Sequence, residues 1–437
     1  MRAETIIADV DVLLTCDADH GVRHRAWVAI GDGRIIAIAD ADGASSWLGD
    51  RIIDGRGRLV MPGLVNLHTH LPMTLLRGIA EDVDLQGFLA RVWAEEARVM
   101  DEAGTELGAR LGAVEALLSG TTTALDMYFH PHAAHRGAVS AGLRHVTGPV
   151  FFSFPGPDNL SWPERMSYAR GWPDRLREIG GPHVPAALMP HCPLTVGPQY
   201  LAEIAALAAE QGALVHTHLS ETRVENADTV ASFGARPARL MAASGLLDLA
   251  PILAHGVHLD DADLQAIAAA GASLAHCPGS NLKLASGAAD VVGYRRLGIR
   301  TGIGTDGCSS SNDLDMFAAM RLAANLARLV RDDPAAISAV DIVRSATIDG
   351  AAALGMADRI GSIEVGKEAD LIVLDLRAAH LTPLRDPSTA LVFAAGRSDV
   401  EHVLVAGRIV VQDRRPTQVD LDDLISGAQA LAGSVIR

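Results

Sequence analysis

Eight short runs of β-forming residues recur between residues 63 and 306, each followed by a stretch of helical periodicity, and this alternation limits the fold more than any other feature. The runs are 63–70, 121–128, 143–152, 184–191, 213–219, 251–257, 272–277 and 300–306. Between them, TELGARLGAVEALLSG, PQYLAEIAALAAEQG, DADLQAIAAAG and LDMFAAMRLAANLARL repeat apolar residues at a spacing near 3.6, several closing on Gly. Strands and helices in strict alternation bury both faces of a parallel sheet. The expectation is therefore an α/β fold, a (β/α)8 TIM-type barrel over residues 61–359. Segment 153–182, rich in proline, is the least regular connection and reads as an insertion over the barrel mouth.

Both chain ends have a different texture. IIADVDVLLT, RAWVAIGDGRIIAIAD and SSWLGDRIIDGRGRLV near the start, and EADLIVLDL and EHVLVAGRIVV near the end, bunch β-formers between Gly and Asp turns. They predict one small β-sandwich domain built from residues 1–60 together with 360–437. At 437 residues and 49% hydrophobic, the chain is large enough for both parts. A formal charge of −16 argues against a nucleic-acid polymer or an anionic membrane as partner. Cys16, Cys192, Cys277 and Cys308 lack CxxC spacing, so neither a disulfide framework nor a thiolate zinc site is expected. The acidic start lacks the pattern of a signal peptide, and no apolar run reaches membrane-span length. A cytoplasmic protein is expected.

The chemistry-bearing residues gather at strand ends. His68 and His70 close the first run, and residues i and i+2 of a strand share a face. His218 ends the fifth run and Asp306 the eighth. The C-terminal rim of such a barrel is where its active sites lie, so all four groups could meet there. Three neutral imidazoles and one carboxylate suit a catalytic zinc, and iron(II) or manganese would also accept them. Glu221, three residues past His218, either faces an attacking water or serves as a helix-start carboxylate. His191 and His255 end the fourth and sixth runs, as substrate contacts or as satisfied core histidines. His216, His276 and Asp126 read as structural.

With these residues in place, MPGLVNLHTHLPMTLLRG, GTTTALDMY, MPHCPLTVGP, VHTHLSET, LAHGVHL, HCPGSNLKLASG, GTDGCSSSNDLDMF and GKEADLIVLDL cover almost the whole chain with one likeness. The sequence resembles the amidohydrolase superfamily, in its branch of S-adenosylhomocysteine and 5′-methylthioadenosine deaminases. The resemblance implies that His68, His70, His218 and Asp306 bind one divalent metal, zinc first and Fe2+ or Mn2+ as alternatives. It further implies that Glu221 moves a proton, with His255 and Asp306 as catalytic partners, and that His191 and Glu96 contact substrate along with Glu221 and Asp306. Glu96 falls where the family has a substrate-binding glutamate after a Trp-Pro pair; here Ala94 replaces the proline, and Glu95 is the alternative. Glu96 could instead pair with Arg98 or Arg77 on a surface helix. Family members that accept S-adenosylhomocysteine use arginines from the region of segment 153–182, a role open here to Arg144, Arg165 or another arginine. A small-molecule substrate and a homodimer are expected.

The activity implied is deamination of an adenine nucleoside. Guanine, cytosine or an s-triazine as substrate, and an inactive barrel scaffold, are the rival readings. Two-metal hydrolases of this general type bridge their ions through a modified lysine at the end of the fourth strand. That strand ends at His191, and Lys283 and Lys367 are the chain's only lysines. Elemental analysis is therefore expected to find about one zinc-like ion per chain; two tightly held ions in an active preparation would contradict it.

Overall fold

A computed structural model describes residues 2–40 and 47–433; Ser45 and Ser46, which open the third β-rich run, lie outside them. The fold is α/β. Its central parallel strands are Leu64–His70, Thr121–Asp126, Arg144–Thr147, Ala187–Pro190, Leu214–Leu219, Ile252–His255, Ser273–His276 and Arg300–Ile303. The third and eighth runs are each broken. Gly148-Pro149 separates Arg144–Thr147 from Val150–Phe151, and Gly304-Thr305 separates Arg300–Ile303 from Asp306–Gly307. Proline cannot donate to a ladder, which explains the first break.

The breaks divide the strands into two hydrogen-bonded sheets. One runs in the order Arg144–Thr147, Thr121–Asp126, Leu64–His70, Asp306–Gly307. The other runs from Val150–Phe151 through the fourth to seventh strands to Arg300–Ile303. Both edges of one sheet thus continue, across a two-residue gap, into the edges of the other.

Helices cover these strands as their periodicity predicts. Glu102–Leu118 starts at Asp101, whose side chain accepts from Gly104 N. The helix brings Gly108 and Gly112 onto the turn Leu71–Leu76, which leads directly out of His70. A Cβ at either glycine would sit 2.6 Å from a carbonyl oxygen, of Pro72 and Leu71 respectively. Glycine at both positions lets the helix close on the segment that carries the histidine pair. Segment 153–182 departs from expectation: it forms two helices, Trp162–Arg170 and Trp172–Ile179, beside the third strand, where buried Trp172 donates to Thr147 O at 3.1 Å. None of its residues lines the central cavity.

The terminal segments form two further sheets. Arg34–Asp40, Ala26–Gly31, Arg2–Val10 and Leu48–Asp54 lie side by side in one. In the other, Arg58–Pro62 stands between Val12–Leu14 and Leu371–Asp375, with Val400–Val405 and Arg408–Gln412 beyond. Ile7, Val28, Ile30 and Ile35 of the first pack in one apolar cluster with Leu13, Val60, Val373 and Leu404 of the second. No helix among the described residues is long and apolar enough to cross a membrane.

A buried ion cluster joins the terminal segments to the central strands. Arg144, on the third strand, donates to Asp370 at 2.9 and 3.0 Å and to Glu368 at 2.5 Å, and Arg359 also reaches Glu368. The Arg144 side chain is fully buried. Removing one partner of such a cluster leaves uncompensated charge in the interior. Arg144→Leu is therefore expected to cost about 3–5 kcal/mol in urea unfolding, and a loss below about 1 kcal/mol would mean that the cluster is no stronger than a surface pair.

Candidate functional site

The central strands end in the groups singled out above. Leu64–His70 carries His68 and His70 on one face, and Leu214–Leu219 carries His216 and His218 likewise. Ile252–His255 ends on His255, and Asp306 opens the short eighth-strand continuation. Gly304 makes room for that turn, since a Cβ there would lie 2.9 Å from His68 Cβ. Ser220, His255 and Asp306 take positive φ of 50°, 71° and 61°. Such backbone costs on the order of 1–3 kcal/mol per residue and persists only where surrounding contacts enforce it.

Asp306 Oδ1 lies 3.3 Å from His68 Nε2 and 3.1 Å from His70 Nε2, and His70 Nε2 lies 3.3 Å from His218 Nε2. Each ring is oriented through its other nitrogen. His70 Nδ1 donates to Met127 O at 2.5 Å and His218 Nδ1 to His191 O at 2.8 Å. A carbonyl can only accept, so both rings carry hydrogen on Nδ1, and each ring when neutral keeps its lone pair on Nε2. His216 Nδ1 donates to Ile252 O at 2.9 Å, so its Nε2 accepts from His68 Nδ1 at 2.8 Å. His68 then also presents a bare Nε2, which is buried without a hydrogen-bond partner.

Lone pairs facing one another and a carboxylate at such distances repel unless a positive charge sits among them. The protonation equilibria favour positive charge at the same place. Burial pulls the His70 imidazole down, but the hydrogen bond and charge of Asp306 overcome it and push the ring up to about 9. Burial raises the Asp306 carboxyl, yet His68 and His70 hold it well below the usual carboxylate range. The ligand atoms of His68, His70 and His218 all lie within 4.8 Å of one another. This donor set fits a divalent metal with an open position.

Around the cluster stand the expected acid–base groups. Glu221 is buried, and Ser286 Oγ donates to its Oε1 at 3.2 Å. Its Oε2 lies 3.7 Å from His255 Nε2, which is 4.0 Å from Asp306 Oδ2. Burial raises the Glu221 carboxyl. His255 Nδ1 faces Asn281 Oδ1 at 2.9 Å; burial lowers this imidazole, but the Glu221 and Asp306 charges raise it overall. His191 stacks on Phe152 with ring centroids 4.6 Å apart, and burial lowers it to about 3, so it is neutral.

A cavity of about 950 Å3, measured out to its open mouth, joins these residues to Glu96, Trp93 and an apolar wall. Glu96 is 1% exposed; its Oε1 accepts from Tyr128 Oη at 2.7 Å, while Oε2 is buried and unpaired. Burial raises this carboxyl to about 7. The neighbouring Glu95 instead pairs with Arg98 at 2.5 Å, and Arg77 pairs with Glu115. Arg144 and Arg165 do not line the cavity. Arg165 is held by Asp158 at 2.6 and 2.7 Å and by Val150 O at 2.8 Å. Asp126 accepts from Leu71 N at 2.8 Å and lies 2.8 Å from His145 Nε2, a structural arrangement; His276 is buried with both ring nitrogens unpaired.

Three site residues escaped the sequence reading. Glu225 is buried at the start of helix Arg223–Phe233 and accepts from Ser220 N at 3.2 Å and Glu221 N at 2.7 Å, fixing the turn that aims Glu221. The Thr222-x-x-Glu225 capping pattern was a usable signal for it. Tyr128 and Asn281 act through tertiary contacts that no local spacing announces.

A strand-end cluster of imidazoles and a carboxylate on an α/β fold marks a metal-dependent hydrolase class, and the comparisons specify it. The model of the amidohydrolase family matches residues 59–410, and the chain belongs to that family. It is 40% identical over 399 residues to the 5-methylthioadenosine/S-adenosylhomocysteine deaminase of Moorella thermoacetica, across 91% of this chain and 92% of that one. An adenosine deaminase from Xanthomonas campestris with bound zinc superposes with a TM-score of 0.94 at 36% identity, over 99% of each chain. The atrazine chlorohydrolase of Arthrobacter aurescens complexed with zinc superposes at 0.89 with 25% identity, over 98% of this chain and 100% of that one.

His216 holds the tautomer of His68 and touches no cavity surface. Outer partners of this kind typically matter 10–100-fold in metal affinity. His216→Ala is expected to fold and to lose metal affinity within roughly that range in a chelator competition; unchanged affinity would reduce His216 to packing.

Proposed function

We propose that the chain is a zinc-type aminohydrolase that deaminates adenine nucleosides, with adenosine, 5′-methylthioadenosine and S-adenosylhomocysteine as the substrate group. The observation that carries this reading is the unpaired, buried Glu96 Oε2 in the same cavity as the histidine cluster. A buried acceptor without a donor calls for one from a ligand, and a ribose hydroxyl supplies it. The relatives from M. thermoacetica and X. campestris are named for deamination of such nucleosides.

His68, His70, His218 and Asp306 hold the ion in this reading. A divalent metal there supplies Lewis acidity that makes water nucleophilic at neutral pH. Glu221 takes one proton of the attacking water and passes it to a ring nitrogen; the water's second proton, lost as the new C–OH becomes a carbonyl, goes to the amino group, which leaves as ammonia when its C–N bond breaks. His255 and Asp306 orient the attacking oxygen, and His255 offsets its developing charge. Neutral His191 contacts the base, and Tyr128 keeps the Glu96 carboxylate turned so that Oε2 meets the ribose.

The proposal includes a closed (β/α)8 barrel over 61–359 and a small β-sandwich domain from 1–60 with 360–437. The sheets that share both broken strands support closure, and the apolar cluster common to the two terminal sheets supports the sandwich. It also includes a small-molecule substrate without a nucleic-acid partner, supported by the charge of −16, a homodimer as is common in such families, and a cytoplasmic location.

Ammonia release from the metal-loaded protein is the test. Adenosine-type substrates are expected to be turned over, and Glu221→Gln to keep its metal while losing about 10²–10⁴-fold in rate. Turnover confined to guanine or a triazine would overturn the nucleoside reading, and near wild-type rates in the glutamine variant would leave Glu221 a helix-start carboxylate.

A further inference from the structure

Helix Leu85–Val99 turns Glu96 to the cavity, and preceding turns of the same face line it too: Val92 and Trp93, Leu89, then Leu85. Positions three and four apart share a helix face, so this stripe extends roughly 16 Å along the cavity from Glu96. Phe152 and Leu194 also line the cavity. No lysine or arginine is among the described residues that line it. Three arginines of the surrounding segments are held elsewhere. Arg165 binds Asp158 and Val150 O, Arg144 binds Asp370 and Glu368, and Arg91 of the same helix donates to Glu81 O.

We infer that the cavity beyond the ribose is a largely apolar 5′ subsite that prefers an uncharged alkylthio substituent to a zwitterionic amino-acid tail. The inference rests on the nucleoside reading above and narrows it. With the base at the Glu221 end and the ribose at Glu96, the 5′ substituent meets the Leu85–Trp93 wall. A thioether is polarizable and nearly apolar, and each added methylene gains from leaving water there. A homocysteine tail brings a carboxylate and an ammonium. Against that wall the carboxylate finds no cation, and burying an unpaired charge is strongly unfavourable. The cavity carboxylates belong to the reacting end, and Gln86, the one polar side chain that this helix adds to the cavity besides Glu96, carries no charge to pair with either end of the zwitterion.

Two measurements separate this subsite from the activity itself. In the first, kcat/KM of the metal-loaded enzyme is compared for adenosine, 5′-methylthioadenosine, 5′-butylthio-5′-deoxyadenosine and S-adenosylhomocysteine. The alkylthio compounds are expected to exceed the zwitterionic one by about 100-fold, a discrimination typical of unpaired polar groups or poor pocket fit. In the second, calorimetry on metal-loaded Glu221→Gln reads the affinities for 5′-methylthioadenosine and S-adenosylhomocysteine without turnover, and the same preference is expected. Equal or reversed affinities would overturn the subsite. A preserved binding preference with no deamination by the wild type would support the subsite and overturn the deaminase reading alone. In Leu89→Arg the ratio of the two affinities is expected to move at least tenfold toward the zwitterion; an unchanged ratio in a folded variant counts against the subsite, and if this variant does not fold the wild-type comparison decides.

Discussion

The site depends on a set of hydrogen bonds that never touch substrate: those from the Nδ1 atoms of its histidines to the backbone of neighbouring strands. Met127 O, His191 O and, through His216, Ile252 O each fix one ring. Because these acceptors are main-chain carbonyls, the orientation of His68, His70 and His218 follows from how neighbouring strands lie side by side. The sheet therefore does two jobs with one geometry. It packs the interior, and it decides which nitrogen of each imidazole carries hydrogen. A shift of one residue in Leu64–His70 or Leu214–Leu219 would turn its histidine pair to the opposite face.

The second constraint is electrostatic. Glu221, Glu225 and Asp306 are all buried within one region, an arrangement that is costly without compensation. Each has a different remedy. Asp306 is surrounded by imidazoles, Glu225 accepts two backbone N–H groups at a helix start, and Glu221 has Ser286 and His255. The carboxyl with the least compensation, Glu96, has one phenol and an idle oxygen. Its burial against apolar residues makes a cavity that is polar at one end and oily along its length.

Much of this was legible beforehand because it was written in short periods. Alternating apolar runs announce strands, and His68-x-His70 at a strand end announces a shared face. The same logic read His218 and Asp306 correctly as strand-end groups that meet. The breaks at Gly148-Pro149 and Gly304-Thr305 carried a Gly/Pro signal, yet both runs read as continuous, since a two-residue interruption hardly disturbs a hydrophobic pattern. The choice between Glu95 and Glu96 could not be made from spacing, because one residue rotates a helical side chain by about 100° and only the helix's packing sets its phase. His216 read as structural; its role in holding the tautomer of His68 needs the distance between two strands. Segment 153–182 read as an insertion over the mouth because proline suggested irregularity; two of its prolines, Pro163 and Pro173, instead sit in the first turns of helices, where proline is well tolerated.

The interleaving of the chain ends has a consequence for synthesis. Arg58–Pro62 is paired on one side by Val12–Leu14 and on the other by Leu371–Asp375, which follows roughly 310 residues later. At ordinary ribosomal speeds that interval lasts on the order of 15–60 s. Throughout it the emerging N-terminal strands have an open, apolar edge with nothing to pair to, while the central strands are still being made. Unpaired edges of this kind invite association between nascent chains, so the vulnerable phase in the life of this enzyme is the time on the ribosome, before Leu371–Asp375 has arrived.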